Sequence, residues 1–176
     1  MTIVMVLGLL LKYGPMSGYE IQQKMQSAKT DKWAYVQPGS IYHALRKLDK
    51  EELVRLQTLE KTGNRSKAIY TITSKGKLEF DRMLISSFKK ASVVFPTALY
   101  TVLTFMDEAP KEDIINALSV QQQEIQNIYD EMKAGQKVKE EYSEIPKNVL
   151  FIFKNIYDQC ELQLKFLEEL KQDLRS

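Results

Sequence analysis

The spacing of apolar residues changes within the first half of the chain, at about residue 52, from a helical period to a period of two. Within 38–50, apolar residues fall at i, i+3, i+4 and i+7, which predicts a helix that buries Ile41, Ala44, Leu45 and Leu48. The runs 53–59 and 67–73 are rich in β-branched and aromatic residues and predict two strands. The polar segment 60–66 between them contains a Gly-Asn pair, which readily adopts positive φ. The sequence therefore predicts a helix followed by one β-hairpin with a basic tip.

Two further predicted helices precede this pair of elements. The run 3–11 is apolar nearly all round, so the helix that it forms has to be covered on several sides. Gly14-Pro15 ends that helix. Ser17 followed by Glu20 has the spacing of a capping box, which starts a second helix. Pro38 suits the first turn of the third helix, where its missing N–H costs nothing.

The order of predicted elements over residues 1–88 is that of a winged helix-turn-helix, because a last helix, capped by Thr73 or Ser74, follows the hairpin. A B-DNA major groove admits one α-helix. The third helix can hold such a position, since one face is apolar and the other carries Tyr42, His43, Arg46 and Lys47. The hairpin tip is placed to touch the neighbouring minor groove or backbone through Lys61, Arg65 and Lys67.

The second half, residues 89–176, predicts a helical dimerisation region. Apolar stripes over 114–132 and 149–174 repeat at alternating spacings of 3 and 4, which is typical of an antiparallel helix pair, and Gly135 and Pro146 bracket the connection. Together with the apolar first helix, these stripes present more apolar surface than one chain of this size can bury. We therefore expect a homodimer, with an interface that includes Leu7, Leu10, Val149, Phe153, Ile156, Cys160, Leu167 and Leu170. The predicted fold class is mainly α, with a small β-hairpin wing and C-terminal antiparallel long helices.

Charge is distributed unevenly along the chain. Lys and Arg number 25 and Asp and Glu 23, which gives a net charge of +2. Residues 1–88 contain 14 basic and 8 acidic side chains, a net of +6, whereas residues 89–176 contain 11 and 15, a net of −4. Only the first half is therefore expected to meet a polyanion such as double-stranded DNA.

The composition argues against several classes of function. One cysteine and one histidine provide neither a disulfide framework nor a Cys/His zinc site, and a reducing, cytoplasmic compartment fits. The apolar opening is too short to cross a bilayer and lacks the features of a signal peptide, so no membrane partner is expected. No nucleophile stands at a suggestive spacing from a base. We therefore expect no enzyme, no catalytic residue, no metal and no cofactor.

Three motifs of the first half occur together. They are Gly14 to Ile21 (GPMSGYEI), Pro38 to Leu45 (PGSIYHAL) with Leu48, and Lys67 to Thr73 (KAIYTIT) with Arg65 and Gly76. In this combination the sequence resembles the PadR family of bacterial transcriptional regulators, closely over the winged helix-turn-helix and only in style beyond it. The resemblance implies a homodimer with two winged-helix heads on a palindromic operator. It also implies repression, the mode of most members, and in many members release from DNA by a small molecule.

The resemblance assigns DNA contacts position by position. The third helix becomes the recognition helix, with contacts from Ser40, Tyr42, His43, Arg46 and Lys47. Tyr19 is implied to lie near a phosphate, and Arg65 and Lys67 to contact DNA from the wing. One departure from the family is Glu52, which stands where glycine commonly precedes the first wing strand. Glycine there would allow positive φ at the helix end, so Glu52 predicts modest strain or a shifted turn.

Two alternatives stay open. The winged helix can instead serve protein contacts while the tail oligomerises, without operator binding. A small hydrophobic or aromatic effector can bind among the second-half aromatics, although core or dimer packing is favoured for Phe95, Tyr100, Phe105, Phe151 and Phe153. Core packing is also favoured for Trp33 over ligand stacking. The operator, the regulated genes and the choice between repression and activation do not follow from the residues.

Overall fold

The structure, a computed structural model, describes residues 1–28, 30, 34, 36–62 and 65–176, and of residues 38, 60–62, 65 and 66 the main chain only. The chain divides into two compact units, Met1–Val93 and Val94–Ser176. Sequence analysis places this boundary after residue 88. Each unit has a hydrophobic core of its own.

The N-terminal unit contains the predicted helices and hairpin, together with a two-residue strand. Its described elements are α1 (Thr2–Tyr13), β1 (Met16–Ser17), α2 (Gly18–Ser27), α3 (Pro38–Lys50), β2 (Val54–Thr62), β3 (Arg65–Ile72) and α4 (Ser74–Phe88). The capping box of α2 is present, with the side chains of Ser17 and Glu20 each accepting the other's backbone N–H. Pro38 lies in the first turn of α3. Thr73 caps α4 by accepting the N–H of Gly76 at 3.0 Å.

The core of the N-terminal unit joins one face of each helix to the sheet. α1 packs on α3 and α4 and buries Val6, Leu7 and Leu10. The predicted stripe of α3 is buried in full, with Ile41, Ala44, Leu45 and Leu48 all at most 4% exposed. Burial of one such leucine or isoleucine stabilises the fold by roughly 1.5–3 kcal/mol. The stripe therefore holds α3 firmly and leaves its opposite face to solvent.

The described strands form an antiparallel sheet in the order β1-β3-β2. The hairpin of β2 and β3 is the one that the sequence predicts. β1 pairs Met16 with Tyr70 and Ser17 with Ile69, and sequence analysis does not predict it. A two-residue strand is too short to show a period of two, so only its pairing reveals it.

A β-bulge interrupts the alternation of side chains along β2. Leu56 and Thr58 pair with two consecutive residues of β3, so Gln57 has no partner across the ladder. One extra residue moves all later side chains of a strand to the opposite face. Leu59 therefore lies on the same face as Leu56, and the two are 59% and 43% exposed.

The junction between α3 and β2 is closed by main-chain contacts. Glu52 adopts a φ of 59°, in the left-handed region, so the strain predicted at this position is present. Its carbonyl accepts Thr73 Oγ1 at 2.8 Å, and the carbonyl of Leu53 accepts the Thr73 N–H at 3.1 Å. Gly76 packs so closely on the Leu53 carbonyl that a Cβ at position 76 would overlap it. Thr73 and Gly76 thus fix where the wing leaves the helix.

The C-terminal unit is built around two long helices. Its described elements are α5 (Thr97–Leu103), a 3₁₀ turn (Met106–Glu108), α6 (Lys111–Tyr142) and α7 (Lys147–Arg175). Hydrogen bonds join the two long helices at positions that rise along α6 and fall along α7: Gln122 to Leu164, Tyr129 to Glu161, and Gln136 to Tyr157. The pair is therefore antiparallel, as predicted.

The connection between the long helices is shorter than sequence analysis predicts. Gly135 does not end the first of them, because α6 continues to Tyr142 and the connection comprises residues 143–146. A glycine inside a helix costs about 1 kcal/mol relative to alanine. The surrounding Lys, Gln and Glu residues favour helix, and the side chain of Gln136 accepts the Tyr157 hydroxyl at 2.6 Å. These contributions outweigh the cost of the glycine.

Candidate nucleic-acid interface

One face of α3 points away from the core of its unit. Because the stripe from Ile41 to Leu48 is buried, the helical period places the intervening side chains on the opposite side. Tyr42, His43, Arg46 and Lys47 are all exposed there, and Ser40 is half-buried at the N-terminal edge. We call these five residues the recognition face. The structure thus brings together the five residues that sequence analysis assigns to the third helix.

Two residues of the recognition face already have partners within the chain. The hydroxyl of Ser40 donates to the carbonyl of Gln37 at 2.6 Å, and its oxygen lies 3.3 Å from Thr2 Oγ1, so this hydroxyl is already engaged on both sides. Lys47 Nζ lies 3.8 Å from Glu51 Oε1, and about half of each side chain is exposed. An exposed pair of this kind contributes only about 0–1 kcal/mol. The Lys47 ammonium can therefore exchange Glu51 for a phosphate at little cost.

Two exposed tyrosines lie near the start of α2. Tyr19 is 60% exposed, and Tyr42, on α3, is 45% exposed with its ring against Gly18. Neither phenolic hydroxyl forms a hydrogen bond within the part of the chain that the structure describes. A tyrosine hydroxyl can donate to a phosphate oxygen. The pair therefore extends the recognition face onto α2.

Lys67, predicted as a wing contact, is tied to α2 through Glu20. Glu20 Oε1 accepts Lys67 Nζ at 2.9 Å, and Oε2 accepts the N–H and the hydroxyl of Ser17, both at 2.8 Å. The Ser17 N–H and the Lys67 ammonium lower the pKa of the Glu20 carboxyl from 4.5 to about 2. Glu20 is therefore ionised at neutral pH, and Lys67 can meet a phosphate only by sharing or leaving this pair.

The second role of Glu20 does not follow from the sequence pattern around it. The capping-box spacing identifies its bonds to Ser17, which are local. Its partner Lys67 is 47 positions away and comes close through the pairing of β1 with β3. No pattern within a single segment carries that information.

Three residues named in the sequence analysis fall outside what is described. They are Trp33 and the side chains of Lys61 and Arg65 at the wing tip. The main chain of Arg65 pairs with Thr62 in the hairpin. The contacts assigned to these side chains stay predictions.

The residues predicted for dimerisation lie in both units. In the N-terminal unit, Leu7 and Leu10 are 0% and 2% exposed, so their own chain already covers them. On α7, Phe153 and Leu167 are buried, and the half-buried positions are Val149, Ile156, Cys160 and Leu170. Burial and the neighbouring Glu161 carboxylate raise the pKa of the Cys160 thiol, which keeps it protonated and unreactive. α7 therefore retains apolar surface, whereas Leu7 and Leu10 have almost none to offer.

The described residues give little support to metal binding, to a membrane-spanning helix or to catalysis. They contain no group of three or more His, Cys, Asp and Glu side chains that could hold a metal ion. Their helices include none that is long and apolar enough to cross a membrane. His43 and Cys160 lie in different units. What the site offers is hydrogen bonding and positive charge on an exposed helix.

Helices packed behind an exposed polar helix, followed by a β-hairpin wing, define a winged helix-turn-helix protein. Residues 6–82 match the model of the transcriptional regulator PadR-like family. This match lies within the N-terminal unit, and the members of the matched family are transcriptional regulators and not enzymes. No curated protein matches the chain at a significant level.

Solved structures resemble the fold along nearly the whole chain. Bacillus subtilis PadR in complex with operator DNA has a TM-score of 0.79 at 19% identity, covering 98% of this chain and 98% of that chain. The same protein in complex with p-coumaric acid has a TM-score of 0.77 at 17% identity, with 98% of each chain covered. A PadR-like regulator from Bacillus cereus has a TM-score of 0.74 at 17% identity, covering 99% of this chain and 98% of that chain. At such identities the likeness establishes the fold.

Proposed function

We propose that this chain is a sequence-specific DNA-binding regulator that acts as a homodimer on a palindromic operator and represses transcription. The observation that carries the proposal is the recognition face, an exposed set of hydrogen-bond donors on a helix whose other side is fully buried. A rigid helix with one free polar face is what a B-DNA major groove accommodates. The operator complex of Bacillus subtilis PadR supports the proposal by analogy of fold. Such a regulator would act in the cytoplasm.

The assignment of contacts follows from the placement of the donors. Arg46 and Lys47 lie farthest along the recognition face and serve phosphates or guanine edges, while Tyr42 and His43 lie nearer its start. Tyr19 serves a phosphate beside α2. Lys67 and Arg65 contact the backbone from the wing, and Lys67 does so by leaving or sharing Glu20.

Dimerisation is supported by apolar surface on α7. Leu150, Phe151, Ile152 and Leu162 are 39%, 62%, 40% and 63% exposed in the single chain. Several large apolar side chains exposed on one helix favour an interface with another subunit. Two subunits joined through this surface would present two recognition faces to two half-sites.

The proposal also includes a small-molecule effector that releases the protein from DNA. Exposed aromatic side chains at the start of the C-terminal unit, including Phe95 at 63% and Phe105 at 65% exposure, suit a small hydrophobic or aromatic molecule. Bacillus subtilis PadR has been solved with p-coumaric acid, which makes that acid a reasonable first probe. Lower operator affinity in its presence would support release by an aromatic acid.

The experiment that tests the proposal is binding of the purified protein to its own upstream DNA and to a scrambled duplex at two salt concentrations. Tight, saturable and selective binding to the first duplex is expected. Equal and strongly salt-dependent binding to both would leave a generic polyanion surface or an operator elsewhere. Binding to neither would contradict the proposal.

The alternative is a protein-interaction module that oligomerises through its tail. The observation that favours it is the exposed apolar face of the wing, where Leu56 and Leu59 lie side by side beyond the core. A protein that binds no duplex at any salt concentration, and whose self-association is intact, would favour this function.

A further inference from the structure

Gly18 is the first residue of α2 and is buried against α3. A Cβ at this position would stand 2.7 Å from Cε1 and 3.1 Å from Cδ1 of Tyr42, and 3.2 Å from Cδ1 of Leu45. Carbon atoms in favourable contact lie about 3.5–4.0 Å apart. Position 18 therefore has no room for a side chain unless the Tyr42 ring moves.

The backbone of Gly18 does not itself call for glycine. Among the described glycines, Gly14 is the one with positive φ, so residue 18 has a conformation that any amino acid adopts. Glycine is also poor within a helix, where it costs up to about 1 kcal/mol relative to alanine. The requirement is thus the close approach of one specific ring.

That ring belongs to the recognition face. Tyr42 is 45% exposed, so one side of its ring rests on Gly18 while the rest meets solvent. Leu45, one turn along α3, is 2% exposed, and its Cδ1 occupies the other side of the space beside Gly18. A tyrosine side chain has only two rotatable bonds that set its direction, so the contact with Gly18 restricts the directions open to the ring.

We infer that Gly18 is a positioning residue for DNA recognition: it admits the Tyr42 ring onto α2 and thereby sets where the Tyr42 hydroxyl meets DNA. The inference rests on the proposed DNA-binding function. The Tyr42 side chain is preorganised by this contact, and a side chain that is already oriented loses less conformational entropy on binding. The start of α2 thus influences affinity through a residue that itself donates nothing to DNA.

The test is a double-mutant cycle on operator affinity, with Gly18→Ala, Tyr42→Ala and the double variant. Gly18→Ala is expected to weaken operator binding about tenfold, because it displaces the ring. Tyr42→Ala is expected to weaken it by a similar factor. The double variant should bind like Tyr42→Ala alone, since without the ring the added methyl group has nothing to displace. Gly135→Ala, whose Cβ would meet no atom within 4 Å, is the matched control and should bind like wild type.

The outcomes separate this inference from the function on which it rests. If Gly18→Ala weakens binding by the same factor with and without Tyr42, the effect is structural, through Leu45 or α2, and the inference is overturned. If wild type binds its operator and Tyr42→Ala binds equally well, the inference is overturned and the proposed function stands. A wild-type protein that binds no duplex would overturn both.

A second variant keeps the inference testable if Gly18→Ala does not fold. Tyr42→Phe retains the ring on Gly18 and removes only the hydroxyl. Weaker operator binding at an unchanged melting temperature would support a DNA contact made by a ring held in place. Wild-type affinity in both Tyr42→Phe and Tyr42→Ala would overturn the inference without any change at position 18.

Discussion

Gly76, the third residue of α4, lies directly on the main-chain carbonyl of Leu53, the residue that precedes β2. Thr73 donates its N–H to the same carbonyl at 3.1 Å and its hydroxyl to the carbonyl of Glu52 at 2.8 Å. The start of α4 is therefore held against the junction between α3 and β2. We call these contacts of Thr73 and Gly76 with Glu52 and Leu53 the clasp. The Thr-x-x-Gly part of the family resemblance has this contact as its physical reason.

Gly76→Ala should destabilise the N-terminal unit by about 3 kcal/mol, because the new methyl group has to displace main chain and not a flexible side chain. The measurement is thermal unfolding followed by circular dichroism at one fixed protein concentration. Gly135→Ala makes the same chemical change within α6, where space is open, and should be neutral or slightly stabilising. An unchanged melting temperature for Gly76→Ala would show that the clasp is loose.

Glu52→Gly should stabilise the protein by about 0.5–1 kcal/mol. Its φ of 59° costs a residue with a side chain roughly 1–2 kcal/mol, and glycine removes that strain while giving back part of the gain as chain entropy. The exposed Glu52–Lys75 pair, at 3.4 Å, contributes little. Glu51→Gly is the control, because Glu51 has a φ of −87° and should lose about 0.5–1 kcal/mol. Equal destabilisation by both variants would contradict the strain argument.

Glu20→Gln should lower stability at neutral pH by about 1 kcal/mol, because it weakens both the capping box and the bond to Lys67. Folding lowers the Glu20 pKa from 4.5 to about 2, so this stabilisation is complete above pH 4.5 and is lost as the pH falls toward 2. Melting temperatures of wild type and variant should therefore differ by a constant amount near neutrality. The difference should shrink on acidification below pH 4.5, and a difference that persists at pH 2 would disagree with this assignment.

Lys47→Ala should weaken binding to every duplex by a similar factor and reduce the salt dependence of affinity by about one unit, as expected for one phosphate contact. Arg46→Ala should weaken operator binding and, if Arg46 contacts a base, also relax selectivity at one position by about 1–3 kcal/mol. Both are measured by titration of operator and scrambled duplexes at several salt concentrations. Lys165→Ala, which removes an exposed lysine of α7, is the control. Unchanged affinity in both α3 variants would remove these residues from the interface.

Leu162→Glu should dissociate the proposed homodimer without unfolding the subunit, since Leu162 is 63% exposed in the single chain. A charge buried at an interface without a partner is strongly unfavourable. Sedimentation at micromolar concentration should show a dimer for wild type and a monomer for the variant. Gln159→Glu, an exposed polar position on the same helix, should leave the dimer intact. A wild-type monomer would contradict the interface itself.

The features that sequence analysis predicts correctly are local and periodic. The stripe from Ile41 to Leu48 and the exposed face opposite it both follow from one helical period. The Ser17 cap follows from a spacing of three residues, and of the two caps predicted for α4, Thr73 or Ser74, the structure has Thr73. Such signals are complete within a few turns of chain, so tertiary structure has little to add to them.

The features that it misses depend on how distant segments meet. The Glu20–Lys67 pair and the seat of Tyr42 on Gly18 each join two elements across the winged helix. The bulge at Gln57 and the strand β1 are visible only in the ladder to β3. Gly135 shows the opposite error, where a local preference for ending a helix is overridden by its neighbours in α6.

The clasp between Leu53 and Gly76 holds main chain to main chain, and this has a consequence for how the protein can vary. The joint contains the carbonyls of Glu52 and Leu53 together with Thr73 and Gly76, and no residue of the recognition face takes part in these contacts. Side chains of the recognition face can therefore be exchanged while these contacts stay the same. The contacts that fix α3 are thus separate from the side chains that would contact DNA. Under the proposed function, substitution on α3 alone can therefore change the preferred operator.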